Sequence, residues 1–210
     1  MQQDMVYIVD DDHDVRKALT KSLLQAGFNA VAYSNAQEFL DKADLNTPCC
    51  LVLDVRMPGM SGLDLQQDLH EKGYKIPIIF ITGHGDIPMS VRAIKGGAFE
   101  FLEKPYQVEE LLDKIRQALV LGQKYVSERA ERISITGRYE TLTGREKEVL
   151  EFLVTDTAKV SNKSIAKELN ISHRTVDDHR ANIMRKMKAS SLVELVEMMK
   201  LCVRTLVRDS

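Results

Sequence analysis

Asp10 and Asp11, Asp54, Thr82 and Lys104 are side chains that, brought to one place, could handle a phosphoryl group. Asp54 closes the run Cys49-Cys50-Leu51-Val52-Leu53, too short for a globular helix, and Pro58, Gly59 and Gly62 break the backbone before Leu63, Leu65 and Leu69 resume at amphipathic spacing. An acid so placed sits at the carboxyl end of a buried strand, where open parallel sheets bind ligands. Three clustered carboxylates repel one another unless a cation lies among them, and Mg²⁺, held by a few carboxylates, waters and substrate phosphate, is the hard-ion solution. Asp54 can then act as nucleophile toward phosphorus and carry an aspartyl phosphate. Lys104 supplies a cation to the phosphoryl oxygens. Thr82 can donate its hydroxyl to the modified group, which makes it the reporter of phosphorylation. Singly, each residue has a plainer explanation: an Asp cluster caps a helix, Asp54 caps the next turn, a threonine ends a strand, a lysine is solvated.

The elements that must position these groups follow from the apolar pattern. Met5 to Val9 is a strand closed by Asp10-Asp11-Asp12, and Val15, Leu19, Leu23 and Ala26 form a helix stopped by Gly27. Asn29 to Tyr33 makes a second strand, and Phe39 and Leu40 belong to a short helix. Ile76 to Thr82 is nearly continuous β-branched and aromatic, as a strand covered on both faces should be. Asp86 can cap a fourth helix in which Ile87, Val91 and Ile94 share one face before Gly96-Gly97. Ala98 to Leu102 is the fifth strand, ending at Lys104-Pro105, and Val108, Leu111, Leu112, Ile115 and Leu119 make the fifth helix. Five strand-helix alternations predict a doubly wound α/β domain with a five-stranded parallel sheet. All the hydrophilic strand ends then lie on one edge of that sheet, and this convergence outweighs the plainer explanations.

The composition is that of an ordinary globular protein, and the net charge of −2 over 210 residues excludes a polybasic nucleic-acid binder while leaving room for a local basic face. No apolar run approaches the ~20 residues that span a bilayer, so a cytoplasmic protein without a membrane partner is expected. Cys49, Cys50 and Cys202 are odd in number, lie in apolar surroundings and lack a metal-ligand spacing such as CxxC, which predicts buried reduced thiols.

Asp10-Asp11, Asp54 followed by Met57-Pro58-Gly59-Met60-Ser61-Gly62, Thr82-Gly83 and Lys104-Pro105, in this order and spacing, resemble the flavodoxin-like receiver domain of bacterial response regulators over residues 1 to about 122. The resemblance implies Asp54 as phosphoacceptor, with Asp11, Asp54 and the main-chain carbonyl of Arg56 as Mg²⁺ ligands and Asp10 as an outer-shell acid. It further implies a cis Lys104-Pro105 bond, and Phe101 as an aromatic switch that turns inward when Thr82 engages the phosphate.

Residues 123–139 lose the apolar periodicity and become charged, which suits a helical extension of the fifth helix followed by a short joint. Residues 140–210 are then a small all-α domain. Thr143-Gly144-Arg145-Glu146 is a capping box preceding Val149, Leu150, Phe152 and Leu153. Ser161 can cap a helix carrying Ile165, Ala166 and Leu169, and Asn170-Ile171-Ser172 turns into a third helix with Val176, Ile183 and Met187 as its buried stripe. Ser190-Ser191 starts a fourth, with Leu192, Leu195, Val196 and Met199. Two short helices joined by a tight turn make a helix-turn-helix, whose second helix reads base edges in the major groove. The outward residues are Arg174, Thr175, Asp177, Asp178, Arg180, Ala181 and Arg185. Arg174, Arg180, Arg185, Lys186 and Lys188, with Lys163 nearby, are cations that can meet phosphates.

The stretches Leu142-Thr143-Gly144-Arg145-Glu146-Lys147-Glu148-Val149-Leu150, Asn162-Lys163-Ser164-Ile165-Ala166 and Ile171 to Arg180 resemble the LuxR-type DNA-binding domain, and the whole resembles the NarL/FixJ class, FixJ branch. The resemblance places Asp177, Asp178 and Ala181 at base-facing positions. It implies a sensor histidine kinase, promoter DNA and RNA polymerase as partners, a homodimer when phosphorylated, and a phosphorylation-activated transcriptional regulator rather than a turnover enzyme. The competing expectation is a phosphotransfer relay or phosphatase whose second half binds protein rather than DNA.

Overall fold

The computed structural model describes residues 4–83, 87–155 and 161–206, with residues 87 and 202–206 described by backbone alone. The expected cap Asp86 lies outside the described residues, as does the side chain of Cys202. Five parallel strands, β1 (Met5–Val9), β2 (Asn29–Tyr33), β3 (Cys49–Asp54), β4 (Ile78–Thr82) and β5 (Glu100–Glu103), form one sheet in the order β2-β1-β3-β4-β5. Between and after them run α1 (His13–Gln25), α2 (Ala36–Lys42), α3 (Gly62–Glu71), α4 (Ile87–Lys95) and α5 (Val108–Glu140).

Alternation along each strand divides the core in two. Tyr7, Val9, Leu51, Leu53, Ile78 and Phe80 point to one face, where Phe39 of α2, Leu65 and Leu69 of α3 and Ala93 of α4 cover them. Val6, Ile8, Cys50, Val52, Ile79, Ile81 and Leu102 point to the other, under Leu19 and Leu23 of α1 and Leu111, Ile115, Ala118 and Leu119 of α5. A parallel sheet needs cover on both faces, which is why these strands read as continuous apolar runs. Cys49 and Cys50 are free and buried, and burial pushes both thiols up.

Of the residues expected to share one face of α4, Val91 and Ile94 are 43% and 50% exposed, and Ala93 is the side chain turned to the core. The side-chain amide of buried Gln66 donates to the Ala93 carbonyl at 3.0 Å. That small residue lets the helix lie close, and the larger apolar pair is left on the surface. Strands four and five begin two residues later than the apolar pattern suggests, at Ile78 and Glu100.

α5 continues as helix to Glu140, and the chain divides into compact units at Met1–Ser127 and Glu128–Ser210. The second unit consists of the last turns of α5 with α6 (Gly144–Thr155), α7 (Asn162–Glu168), α8 (His173–Met187) and α9 (Leu192–Leu206). Its core joins Ile135, Leu142, Val149, Leu150, Leu153, Ile165, Val176, Ile183, Met187, Leu195 and Met199. Asn170, at φ 51°, turns the chain between α7 and α8 in the left-handed region that asparagine tolerates.

Gly62 is a position in the first domain that admits no side chain: a Cβ there would stand 2.2 Å from the Asp54 carbonyl oxygen. Gly62→Ala is therefore expected to destabilise the first unit by about 2–4 kcal/mol in urea unfolding. Gly137→Ala, in α5 with open space around it, is expected to be neutral or to stabilise by up to about 1 kcal/mol. Equal stabilities for the two variants would refute this reading of the β3-α3 turn.

Candidate functional site

Register assembles the acidic site. Val9 pairs with Leu53 and Asp54 with Ile81, so Asp10, the residue after β1, comes beside Asp54. Thr82 lies one step beyond Ile81, and it pairs with Glu103, after which comes Lys104. Asp10 and Asp54 are 4% and 9% exposed, and Thr82 is buried. The Lys104 ammonium stands 3.4 Å from Asp10 Oδ2 and 3.8 Å from Asp54 Oδ1. The Lys104-Pro105 bond is cis, and the Lys104 N–H donates to the Thr82 carbonyl at 2.8 Å, tying the two strand ends together.

The acids of the first turn have distinct roles. Asp12 caps α1, its carboxylate accepting the Asp14 and Val15 N–H groups at 2.8 and 3.2 Å, and these bonds hold its carboxyl below the usual range. Asp10 Oδ1 accepts the Asp12 N–H at 2.8 Å, and Arg16, which no sequence motif singles out, donates to the Asp10 carbonyl at 2.7 Å. Asp11 is exposed and lines a cleft with Arg56, Met57, Met89 and Arg92. The Arg56 N–H donates to Asp54 Oδ2 at 2.7 Å. Phe101 is half-buried, its ring 6.3 Å from that of Phe80.

Burial, and then the charge of Asp10, push the Asp54 carboxyl up to about 6, against the Arg56 N–H and Lys104, which act downward. One ammonium thus leaves uncompensated negative charge at the site. Among the described residues no three His, Cys, Asp or Glu side chains close around one metal-sized position. A cation here must complete its shell with a carbonyl and water, which is the habit of Mg²⁺. The all-oxygen donor set fits that ion.

In the second unit, Thr143 and Glu146 form the expected box: the Thr143 N–H donates to Glu146 Oε2 at 2.8 Å, and the Glu146 N–H to Thr143 Oγ1 at 3.2 Å. Ser161 caps α7 and Ser172 caps α8. Val176, Ile183 and Met187 are buried, and Arg174, Asp177, Asp178, Ala181 and Arg185 are exposed, as is Lys163 on α7. Thr175 is half-buried, its hydroxyl 2.7 Å from that of Ser172. Lys186 faces another way: its ammonium lies 2.6 Å from buried Glu146 and 3.2 Å from the Thr141 carbonyl. Arg180 is also half-buried, held at 2.5 Å by the side chain of Asn162, a residue in a motif of the sequence but not among the expected contacts. Arg138 donates to the Met187 carbonyl at 3.1 Å, at the end of α8.

Residues 6–116 match the family model described as response regulator receiver domain, and residues 140–199 that of bacterial regulatory proteins, luxR family. The chain is 48% identical over 192 residues to the response regulator protein TodT of Pseudomonas putida, covering 91% of this chain and 83% of that protein. It is 40% identical over 193 residues to the transcriptional regulatory protein FixJ of Bradyrhizobium diazoefficiens, covering 92% and 93%. Among solved structures it is similar to the response regulator StyR, with a TM-score of 0.74, 44% identity and coverage of 94% of this chain and 98% of that one.

A carboxyl whose pKa is raised by folding is neutral to stability where it is protonated in both states and costs stability where it is ionised. Asp54 therefore costs nothing below about pH 4, the unfolded value, and its penalty is complete once the pH has risen past about 6. In metal-free buffer at pH 8, Asp54→Asn should stabilise the protein by up to about 3 kcal/mol, from about two pH units at 1.36 kcal/mol each. The gain should disappear at pH 4. Unfolding curves at the two pH values check it, and a pH-independent difference would contradict the charge crowding described.

Proposed function

The chain belongs to the two-component response regulators that join a receiver domain to a LuxR-type DNA-binding domain, and on that footing we propose how its own residues carry phosphorylation to DNA. It is a transcriptional regulator, not a turnover enzyme, and the luxR-family match of residues 140–199 decides against a relay or phosphatase with a protein-binding second half. The observation that carries the proposal is the crowding of Asp10 and Asp54 around the one ammonium of Lys104, in the same chain as a helix-turn-helix.

A sensor histidine kinase is the phosphoryl donor: its phosphohistidine P–N bond breaks as a bond forms between phosphorus and an Asp54 oxygen. Asp11, Asp54 and the Arg56 carbonyl would hold Mg²⁺, with Asp10 outside the inner shell; bound there, the ion supplies charge neutralisation for the phosphoryl oxygens. The new group brings a charge of roughly −1.5 to −2. Lys104 turns its ammonium to that charge, and Thr82 donates its hydroxyl to a phosphoryl oxygen. Phe101, half-buried beside Phe80, moves inward into the space Thr82 vacates. The face of α4 and β5, with Val91 and Lys95 of α4 and Phe99 just before β5 as its candidate residues, is thereby altered and pairs with a second copy. Dimerisation puts two copies of α8 on half-sites about one DNA turn apart.

In that complex Arg174, Thr175, Asp177, Asp178, Arg180, Ala181 and Arg185 of α8 lie toward the groove, and Lys163 of α7 reaches the backbone. Lys186 serves instead to neutralise Glu146 and hold α8 on the capping box of α6. The functional domains are 1–122 and 140–210, joined by the helical residues 123–139. RNA polymerase is the partner that dimeric, DNA-bound protein would engage.

With Mg²⁺ and phosphoramidate as donor, the wild type should change from monomer to dimer in light scattering and bind a target promoter fragment on the order of tenfold or more tightly, at fixed salt. Asp54→Ala should do neither. Thr82→Ala should still take up phosphate, visible as a mass increase, without the shift to dimer. If wild-type Asp54 is phosphorylated and DNA affinity remains at the non-specific level, the proposed coupling is wrong.

A further inference from the structure

We propose that the adjacent acids Asp177 and Asp178 divide the work on α8: Asp178 reads a base, whereas Asp177 is a positioning residue that, through Asn162, sets Arg180 against a DNA phosphate. This rests on the DNA-binding reading above and refines it, since the resemblance puts both acids at base-facing positions.

Helical geometry separates the two. At 3.6 residues per turn, the direction opposite the buried stripe Val176, Ile183 and Met187 is occupied by Arg174, Asp178, Ala181 and Arg185, spaced i, i+4, i+7, i+11. Each of these four is exposed. Asp177 and Arg180 lie to one side of that stripe, three residues apart, and both meet the first residue of α7. The Asn162 side-chain amide donates to Asp177 Oδ1, and the Arg180 Nη1 donates to Asn162 Oδ1 at 2.5 Å. The chain of bonds has one sense only. A carboxylate can accept but not donate, so it takes the amide NH₂ and turns the amide oxygen to the guanidinium. Arg180 is thus aimed from a neighbouring helix, along the flank where a recognition helix runs beside the backbone of DNA. Among the described residues Asp178 makes no hydrogen bond or ion pair, so its carboxylate remains open to accept from an amino group, and cytosine N4 is the base-edge donor that suits it.

Charge makes the assignment discriminating. An exposed acid with no other task repels DNA phosphates, and its removal tightens binding to every sequence. An acid that aims a cation does the reverse. The measurement uses full-length protein phosphorylated with phosphoramidate and Mg²⁺, and duplexes selected by the wild type from a randomised pool, titrated at several salt concentrations. Asp177→Ala and Asn162→Ala should each bind 3- to 10-fold more weakly to all duplexes, with unchanged base preferences and a salt slope shallower by about 1. Asp177→Asn, which keeps an accepting oxygen for Asn162, should restore most of the affinity. Asp178→Ala should lose discrimination at one G·C pair by about tenfold or more, with other positions unaffected. Tighter binding by Asp177→Ala, or a change in its base preference, overturns the division of labour while leaving the DNA-binding reading intact. A phosphorylated wild type that selects no sequence at all overturns both. Asn162→Ala breaks the same bracket from α7, so the outcome does not depend on the folding of a single α8 variant.

Discussion

Like charges brought together at the edge of the sheet set the terms for the rest of the molecule. Asp10 and Asp54 are nearly buried beside each other, and Lys104 is the ammonium within ion-pair distance of both. Burial penalises an ionised carboxylate, and a neighbouring one adds to the penalty, which is why the Asp54 carboxyl stands near 6. Such an arrangement survives only where a stable scaffold overdetermines it. The same crowding makes the site receptive to a divalent cation and responsive to a phosphoryl group, because either changes the local charge balance by more than the single lysine can.

The scaffold that bears this load is the doubly covered sheet. Parallel pairing places every strand's carboxyl end on one edge, and register decides which residues meet there: Asp10 beside Asp54, Thr82 one step further, Lys104 after the residue paired with Thr82. With apolar cover on both faces, the strand ends have little freedom to spread apart. α4 departs from this economy. Gln66 and the small Ala93 hold it to the sheet, and Val91 and Ile94 remain at the surface.

The second domain handles buried charge differently. Glu146 is nearly inaccessible, and Lys186 and the Thr143 N–H both satisfy it, so α6 and α8 are held together by one carboxylate. Removing either partner would strand the other, which gives this pair an architectural role distinct from that of the exposed cations Arg174 and Arg185 on α8. Asn162 holds the Arg180 guanidinium from a neighbouring helix, as Asp10 and Asp54 hold the Lys104 ammonium in the first domain.

Much was legible in the sequence because it depends on local pattern. Short and continuous apolar runs located β1 to β5, and the stripe Val176, Ile183, Met187 identified the inward side of α8. Turn chemistry marked the helix starts at Thr143, Ser161 and Ser172. Strand ends carrying Asp54, Thr82 and Lys104 could be assigned to one edge because a parallel sheet allows no other outcome. Tertiary structure decided what local pattern could not. Spacing put Val91 and Ile94 on one face of α4 without fixing which way it turns, and packing turned Ala93 to the core, its carbonyl held by Gln66 of α3. Local pattern does not distinguish the three consecutive acids, which the family resemblance alone assigns to different roles, and the fold makes Asp12 a cap, Asp10 a buried neighbour of Asp54 and Asp11 an exposed group. Lys186 and Asp177 read as outward charges on one helix, and their partners Glu146 and Asn162 lie 40 and 15 residues away in the chain. Hydrogen bonds across that distance leave no periodic trace in a sequence, because they depend on where separate helices are packed rather than on the spacing within any one of them.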